Sequence, residues 1–211
     1  MIKLYDYYRS TACYRVRIAL NFKNIAYEKL TIHLVNNGGE QHSTKYLQIN
    51  PQGLVPTLNA KTDSNPQFIN QSLAIIEYLE ETYPSPALLP TNPWDRAQVR
   101  SLSFMIACEI HPVNNLRVLT YLRDHLKVNE QEIKLWYHHW LKKGFDAFEK
   151  RLQDTKQQLV CFGNTITMAD LCLIPQVYNA ERFDFPMSNY PCINTINKHC
   201  LTIAAFKNAA P

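Results

Sequence analysis

The period of the hydrophobic pattern changes part-way along the chain, and that change predicts its organisation. Ile2-Lys3-Leu4-Tyr5-Asp6-Tyr7 is rich in aromatics and partly alternating, which predicts a β-strand. Ser10 and Thr11 offer N-cap side chains to a helix over residues 14–22. Residues 26–34 predict a second strand, Asn36-Asn37-Gly38-Gly39 a turn, and residues 42–48 a short helix. Leu54-Val55-Pro56-Thr57-Leu58 is a short apolar strand with a proline inside it. Proline cannot donate to a ladder, so Pro56 belongs at an edge, a bulge or a strand start, or is a cis-proline placed for function. Residues 66–69 predict a last short strand. Residues 71–82 predict a helix, with Leu73, Ile76 and Leu79 on one face and Glu77, Glu80 and Glu81 opposite.

The eleven residues 83–93 hold four prolines, the composition of a stiff linker and a domain boundary. Beyond Trp94 strand signals nearly vanish. Residues 95–125 carry a long helical pattern interrupted by Pro112, which predicts a kink or break there. Residues 130–153 predict another long helix. Thr167-Met168-Ala169-Asp170 is a capping box by type, with Asp in place of Glu, and opens an apolar helix through Tyr178. Residues 190–198 and 204–209 predict closing helices. The expected architecture is an α/β domain over residues 1–84 followed by an all-α domain over residues 90–211.

Composition narrows the class. Among 211 residues, 46% are hydrophobic and 19% charged, which suits a globular protein large enough to bury a sizeable core. The net charge of +4 is mild. Arg9, Arg15 and Arg17 form the only dense basic stretch, read as solvated surface charge or structural ion pairs, and no nucleic-acid partner is expected. The N-terminal residues read as a strand and not as a secretory signal, and no run approaches the roughly 20 apolar residues of a membrane span. Six scattered cysteines with no C-x-x-C pair predict reduced thiols and a cytoplasmic setting. His138-His139 are neighbours on a helix and point to different faces, and no ligand cluster predicts a metal.

Three stretches carry a more specific signal: Tyr8-Arg9-Ser10-Thr11-Ala12-Cys13-Tyr14-Arg15-Val16-Arg17-Ile18-Ala19-Leu20, Gln71-Ser72-Leu73-Ala74-Ile75-Ile76-Glu77-Tyr78-Leu79-Glu80-Glu81, and Thr167 through Phe183. With the β-α-β-β-α start and the central Val55-Pro56, they resemble the zeta class of the glutathione transferase superfamily over almost the whole chain. Ile110-His111-Pro112-Val113-Asn114-Asn115-Leu116-Arg117 is similar to its bacterial members. One departure stands out. The class usually reads Ser-Ser-Cys after the arginine, whereas Ser10-Thr11-Ala12 stands here and the cysteine follows at Cys13.

The resemblance implies a thioredoxin-like first domain, glutathione as cofactor and a homodimer. It implies a cis–trans isomerase acting on a maleyl dicarboxylate, maleylacetoacetate or maleylpyruvate. It assigns Ser10, helped by Arg9, to catalysis, and Thr11 to the glutathione site. Val55 is implied to pair with the cofactor backbone beside a cis Pro56, Gln71 and Ser72 to hold its γ-glutamyl end, and Gln41 its glycyl side. His111 and Asn115 are implied to contact glutathione or line the cleft, and Arg9, Arg117 and Arg182 to bind substrate carboxylates.

The chemistry of the residues is compatible with these roles. A free thiol has a pKa of about 8.5, and a hydroxyl donor beside a helix N-terminus favours the thiolate. Guanidinium groups bind carboxylates through paired hydrogen bonds. Ser10 and Ser72 could equally be plain helix N-caps. Three other readings stand beside the isomerase: a general glutathione transferase or α-haloacid dehalogenase, a thiol-disulfide enzyme using Cys13 near a helix start, and a non-catalytic module binding a partner protein.

Overall fold

The computed structural model describes residues 1–61, 65–156 and 159–211. They divide into two units, one of residues 1–88 with 203–211, the other of residues 89–202.

In the first unit β1 (Ile2–Asp6) lies parallel to β2 (Tyr27–Thr31), in register from Ile2↔Tyr27 to Asp6↔Thr31. Parallel neighbours need a crossover, and α1 (Thr11–Phe22) supplies it. Two 3₁₀ turns, Asn36–Gly38 and Glu40–His42, and the short α2 (Thr44–Leu47) lead to β3 (Thr57–Asn59). β3 runs antiparallel to β1 and to β4 (Phe68–Asn70), giving the order β2-β1-β3-β4. Pro56 lies just before β3, cis to Val55, so the strand begins after its proline and no ladder bond is lost. α3 (Ser72–Thr82) then packs beside α1. Leu4 and Leu58, register partners on β1 and β3, are completely buried at the centre of the sheet.

Every residue of α1 from Thr11 to Leu20 is buried. A helix covered on all sides is a core helix, so its arginines are interior and the surface-charge reading of Arg15 and Arg17 is overturned. Arg17 forms an ion pair with Asp6 at 2.6 Å, and Arg15 Nη1 donates to Ser72 Oγ at 3.3 Å. Farther along α1, the buried Lys23 ammonium pairs with Glu80 and donates to the carbonyls of Tyr83 and Pro86. The last nine residues, expected with the helical domain, group with this unit. Their helix, Ala204–Lys207, packs on α1, where Tyr14 Oη donates to Phe206 O and Asn21 Nδ2 to Ala205 O.

The second unit is helical. α4 (Pro93–Phe104) starts under an Asn92 cap that accepts from Trp94 and Asp95 N–H. The predicted break at Pro112 comes earlier and is more elaborate. The helix widens into a π turn over Met105–Ile110 and tightens to 3₁₀ over Pro112–Asn114. It restarts as α5 (Leu116–Asp124). α6 (Glu130–Asp154) opens on an Asn129/Glu132 capping box. α7 (Met168–Arg182) opens on the expected box, where the buried Asp170 carboxylate accepts from Thr167 N–H at 2.8 Å and Cys161 N–H at 2.7 Å. α8 (Pro191–Cys200) is capped by the buried Glu149 of α6, which accepts from Cys192 and Ile193 N–H. Tyr137, Leu141, Phe145 and Phe148 of α6 and Leu171, Leu173 and Val177 of α7 form the core. Among the described residues no helix is long and apolar enough to cross a membrane.

Candidate active site

The sheet register gathers most of the first-unit candidates at one end. Tyr5 on β1 pairs with Thr57 on β3, and Thr57 pairs with Asn70 on β4. The exit of β1 towards Ser10, the entry to β3 at Val55-Pro56 and the exit of β4 into Gln71-Ser72 therefore share that end. β2 runs parallel to β1 and exits there too, towards the turn that carries Gln41.

Ser10 caps α1: its Oγ accepts from Cys13 N–H at 3.2 Å, and its own N–H donates to Tyr7 O at 2.9 Å. The cap occupies an acceptor lone pair and leaves the hydroxyl proton. A plain N-cap and a donor to sulfur are thus compatible uses of one side chain. The Cys13 thiol is a hydrogen-bond neighbour of the same hydroxyl. Thr11 is buried in the first turn of α1, and the exposed Arg9 places its guanidinium 5.2 Å from the Tyr8 ring centroid.

Burial overturns the Cys13 reading. A helix start was expected to lower its pKa. The thiol is instead completely buried, and burial pushes it well above the ordinary value, with Asp6 adding to the rise. A neutral, enclosed thiol is not a nucleophile for a disulfide reaction.

At α3 the N-cap position falls on Gln71, so Ser72 is not the cap it could have been. Gln71 has φ +70°, makes no side-chain cap, and donates from Nε2 to Gln52 Oε1 at 2.8 Å. A non-glycine residue at positive φ costs on the order of 1 kcal/mol or more, and such strain concentrates at ligand clamps. The helix thereby presents its first N–H groups without a side-chain cap, an arrangement suited to a carboxylate. Ser72 is buried, with Arg15 behind it. Sequence reasoning passed over Arg15; the signal was the mostly apolar company of α1 on every face, which leaves an arginine little route to solvent.

Two further features match an extended peptide ligand. Among the described residues neither the N–H nor the C=O of Val55 takes a hydrogen-bond partner. Gln41 is buried, donates from Nε2 to Leu34 O at 3.3 Å, and leaves Oε1 without a partner among the described residues. Gly39 permits this placement, since a Cβ there would lie 2.4 Å from Gln41 Nε2 and its φ is +96°. A free backbone edge, an uncapped helix start and an unpaired buried amide fit a γ-glutamyl tripeptide with a carboxylate at each end.

In the second unit His111 and Asn115 approach one another, Nε2 to Nδ2 at 3.5 Å. Asn115 also caps α5 by accepting from Arg117 N–H at 3.1 Å. Arg117 therefore stands at the second position of a new helix. Of the kink or break expected at Pro112, the structure shows a break, because the helix stops and restarts. Arg182 ends α7, exposed, with its guanidinium 5.1 Å from the Phe183 ring, and Phe183 stacks on Tyr137 at 3.9 Å. Among the described residues Arg9, Arg117 and Arg182 have no carboxylate partner. A cavity of about 680 Å³ on α6, lined by Trp136, Trp140, His139 and Phe185 among others, includes none of the predicted site residues.

Comparison with known proteins points to one family. Residues 4–87 match the family described as glutathione S-transferase, N-terminal domain. The protein named probable maleylacetoacetate isomerase in Vibrio cholerae is 49% identical over 99% of this chain and 94% of its own. A holo structure of maleylpyruvate isomerase, a bacterial glutathione S-transferase of the zeta class, superposes with TM-score 0.93 at 43% identity, covering 99% and 96% of the two chains. Maleylacetoacetate isomerase of Anaeromyxobacter dehalogenans, solved with glutathione in its active site, superposes with TM-score 0.89 at 35% identity over 100% and 95%. The chain belongs to the zeta class of the glutathione transferase superfamily.

Proposed function

We propose that this protein is a glutathione-dependent cis–trans isomerase that converts maleylacetoacetate or maleylpyruvate to the fumaryl isomer, working as a cytoplasmic homodimer. The supporting observation is Ser10, a capping hydroxyl whose acceptor side is used by Cys13 N–H, so that capping does not consume its proton. When bound, glutathione supplies a sulfur nucleophile for reversible addition to the conjugated double bond, which lets that bond rotate and returns the thiol at the end.

The residues of the chain divide the remaining work. Ser10 donates to the sulfur and favours its ionised form. The first N–H groups of α3, with Ser72 and Gln71, hold the γ-glutamyl carboxylate, and Arg15 adds positive charge behind Ser72. The backbone of Val55, beside Pro56, pairs with the cofactor backbone as a short strand addition. Gln41 takes the glycyl side, where its unpaired Oε1 can accept from the glycyl N–H and not from the carboxylate; Thr11 belongs to the site beside Ser10, and His111 and Asn115 are further contacts for glutathione. Arg9, Arg117 and Arg182, lacking carboxylate partners of their own, bind the acid groups of the substrate and stabilise the negative charge that develops on its carbonyl oxygen. The scattered free cysteines suit a reducing compartment.

The test is a turnover assay with each maleyl substrate at substoichiometric glutathione. Many product molecules per glutathione, with total thiol unchanged, are expected. Product formed at equal rate without glutathione, or a conjugate accumulating one-for-one with substrate lost, would refute the isomerase reading.

A further inference from the structure

Arg17 lies outside every site assignment above, yet it grips the turn that carries Ser10. The side chain is 2% exposed. Its Nη1 donates to Asp6 Oδ1 at 2.6 Å and reaches Tyr7 O at 3.4 Å; Nη2 donates to Tyr8 O at 2.9 Å. Nε donates to Ala209 O at 2.8 Å, and the guanidinium carbon lies 5.5 Å from the Tyr14 ring centroid. Tyr7 O also accepts the Ser10 N–H at 2.9 Å. One planar fork thus ties the end of β1, two successive carbonyls of the β1–α1 turn and the chain beyond the closing helix.

Packing alone does not fix that turn, because Tyr8 and Arg9 are exposed. A buried ion pair is weak support for stability, since apolar replacements are often as good. An apolar side chain, however, cannot bond carbonyls at three places. A lysine, with one rotatable ammonium in place of a rigid fork, cannot reproduce the arrangement either.

We propose that Arg17 is a positioning residue for Ser10, and that the segment 203–211, which accepts from its Nε and is tied to α1 through Tyr14 and Asn21, is part of the same device. The helical chain end thereby sets the aim of a hydroxyl almost two hundred residues earlier. The inference rests on the reading of Ser10 as donor to the glutathione sulfur, and the experiment separates the two.

The pKa of enzyme-bound glutathione is followed by thiolate ultraviolet absorbance against pH in the full-length protein and in Ser10→Ala, Arg17→Lys, a chain ended after Asn208, and Glu80→Gln. The last weakens the Lys23–Glu80 pair, buried in the same unit, whose bonds run to the Tyr83 and Pro86 carbonyls and the Leu88 N–H. Affinity for S-methylglutathione, which has no thiol to ionise, reports whether the rest of the site is intact. Ser10→Ala and Arg17→Lys are both expected to raise the bound thiol pKa by about one unit, a roughly tenfold loss of thiolate below it. The shortened chain is expected to move it the same way by less. Glu80→Gln should lower the melting temperature and leave the pKa in place, and S-methylglutathione affinity should hold in all four. A shift in Ser10→Ala without one in a folded Arg17→Lys overturns the positioning role. No shift in the shortened chain removes the C-terminal segment from it. No shift in Ser10→Ala sinks the Ser10 reading itself, and this inference with it.

Discussion

Ser10 and Cys13 are three residues apart, and burial separates their roles. The Ser10 hydroxyl stands at the edge of its turn with a proton to give, while the Cys13 thiol is enclosed and pushed to high pKa. Ser10→Ala is therefore expected to lower kcat on the order of 100-fold, the usual cost of losing an electrostatic donor, whereas Cys13→Ala should leave kcat within about threefold and register mainly as a loss of stability from the vacated volume. Parallel kinetics and urea unfolding distinguish the two. Equal kinetic loss from both substitutions would return Cys13 to the chemistry. Mass mapping after brief alkylation at neutral pH should find Cys108, which is exposed, labelled well before Cys13. The sequence could not separate these residues. A cysteine at the third position of a helix has the same local signature whether it faces a ligand or the core, and only the packing of α1 decides.

At the scale of elements, long apolar periodicities translated well: β1, α1, α3, α6 and α7 lie within a few residues of the expected spans. Elements defined by side-chain competition did not. Pro112 announced a break, but the widened turn over Met105–Ile110 contains no proline or glycine, and α6 packs opposite it. Gly144 of α6 offers an absence. A Cβ there would lie 2.1 Å from Ile110 Cδ1 and 2.2 Å from Cγ1, and Ile110 is buried. Gly144→Ala should therefore destabilise by about 1–3 kcal/mol through overpacking, although alanine is the better helix former. It should also raise KM for glutathione if His111, the next residue, contacts the cofactor. Ile110→Val in the same chain should restore part of the stability, because the two side chains share one space. A stabilised Gly144→Ala would show that the close approach is slack.

For the whole molecule, the two-part organisation follows from the proline-rich stretch at 83–93, but the membership of the last nine residues does not. They carry a helical pattern like their neighbours, and what sends them to the first unit is a set of specific bonds from Tyr14, Arg17 and Asn21 to backbone carbonyls. Such bonds leave no periodic trace. The same limit applies to charge. Of the three arginines in Tyr8–Leu20, only the family resemblance singles out Arg9, and periodicity does not show that the other two are buried in structural bonds while Arg9 alone is exposed. Arg9 shares with Arg117 and Arg182 the lack of any carboxylate partner among the described residues. Cations that the protein does not neutralise are available to an anion from outside, and a substrate with two acid groups needs such partners when it leaves water. Replacing any one of the three with glutamine should raise KM for a maleyl diacid about tenfold, equivalent to about 1.4 kcal/mol of lost binding. It should also lower kcat where the contact strengthens as charge builds on the substrate. The same variants should conjugate glutathione to an uncharged electrophile at nearly the parental rate, because Ser10 and the glutathione site are untouched. Steady-state kinetics with both substrates on each variant decides the matter. Equal loss on charged and uncharged substrates would mean that the arginines serve the fold or the cofactor, and a general transferase would then describe the protein better than an isomerase of diacids.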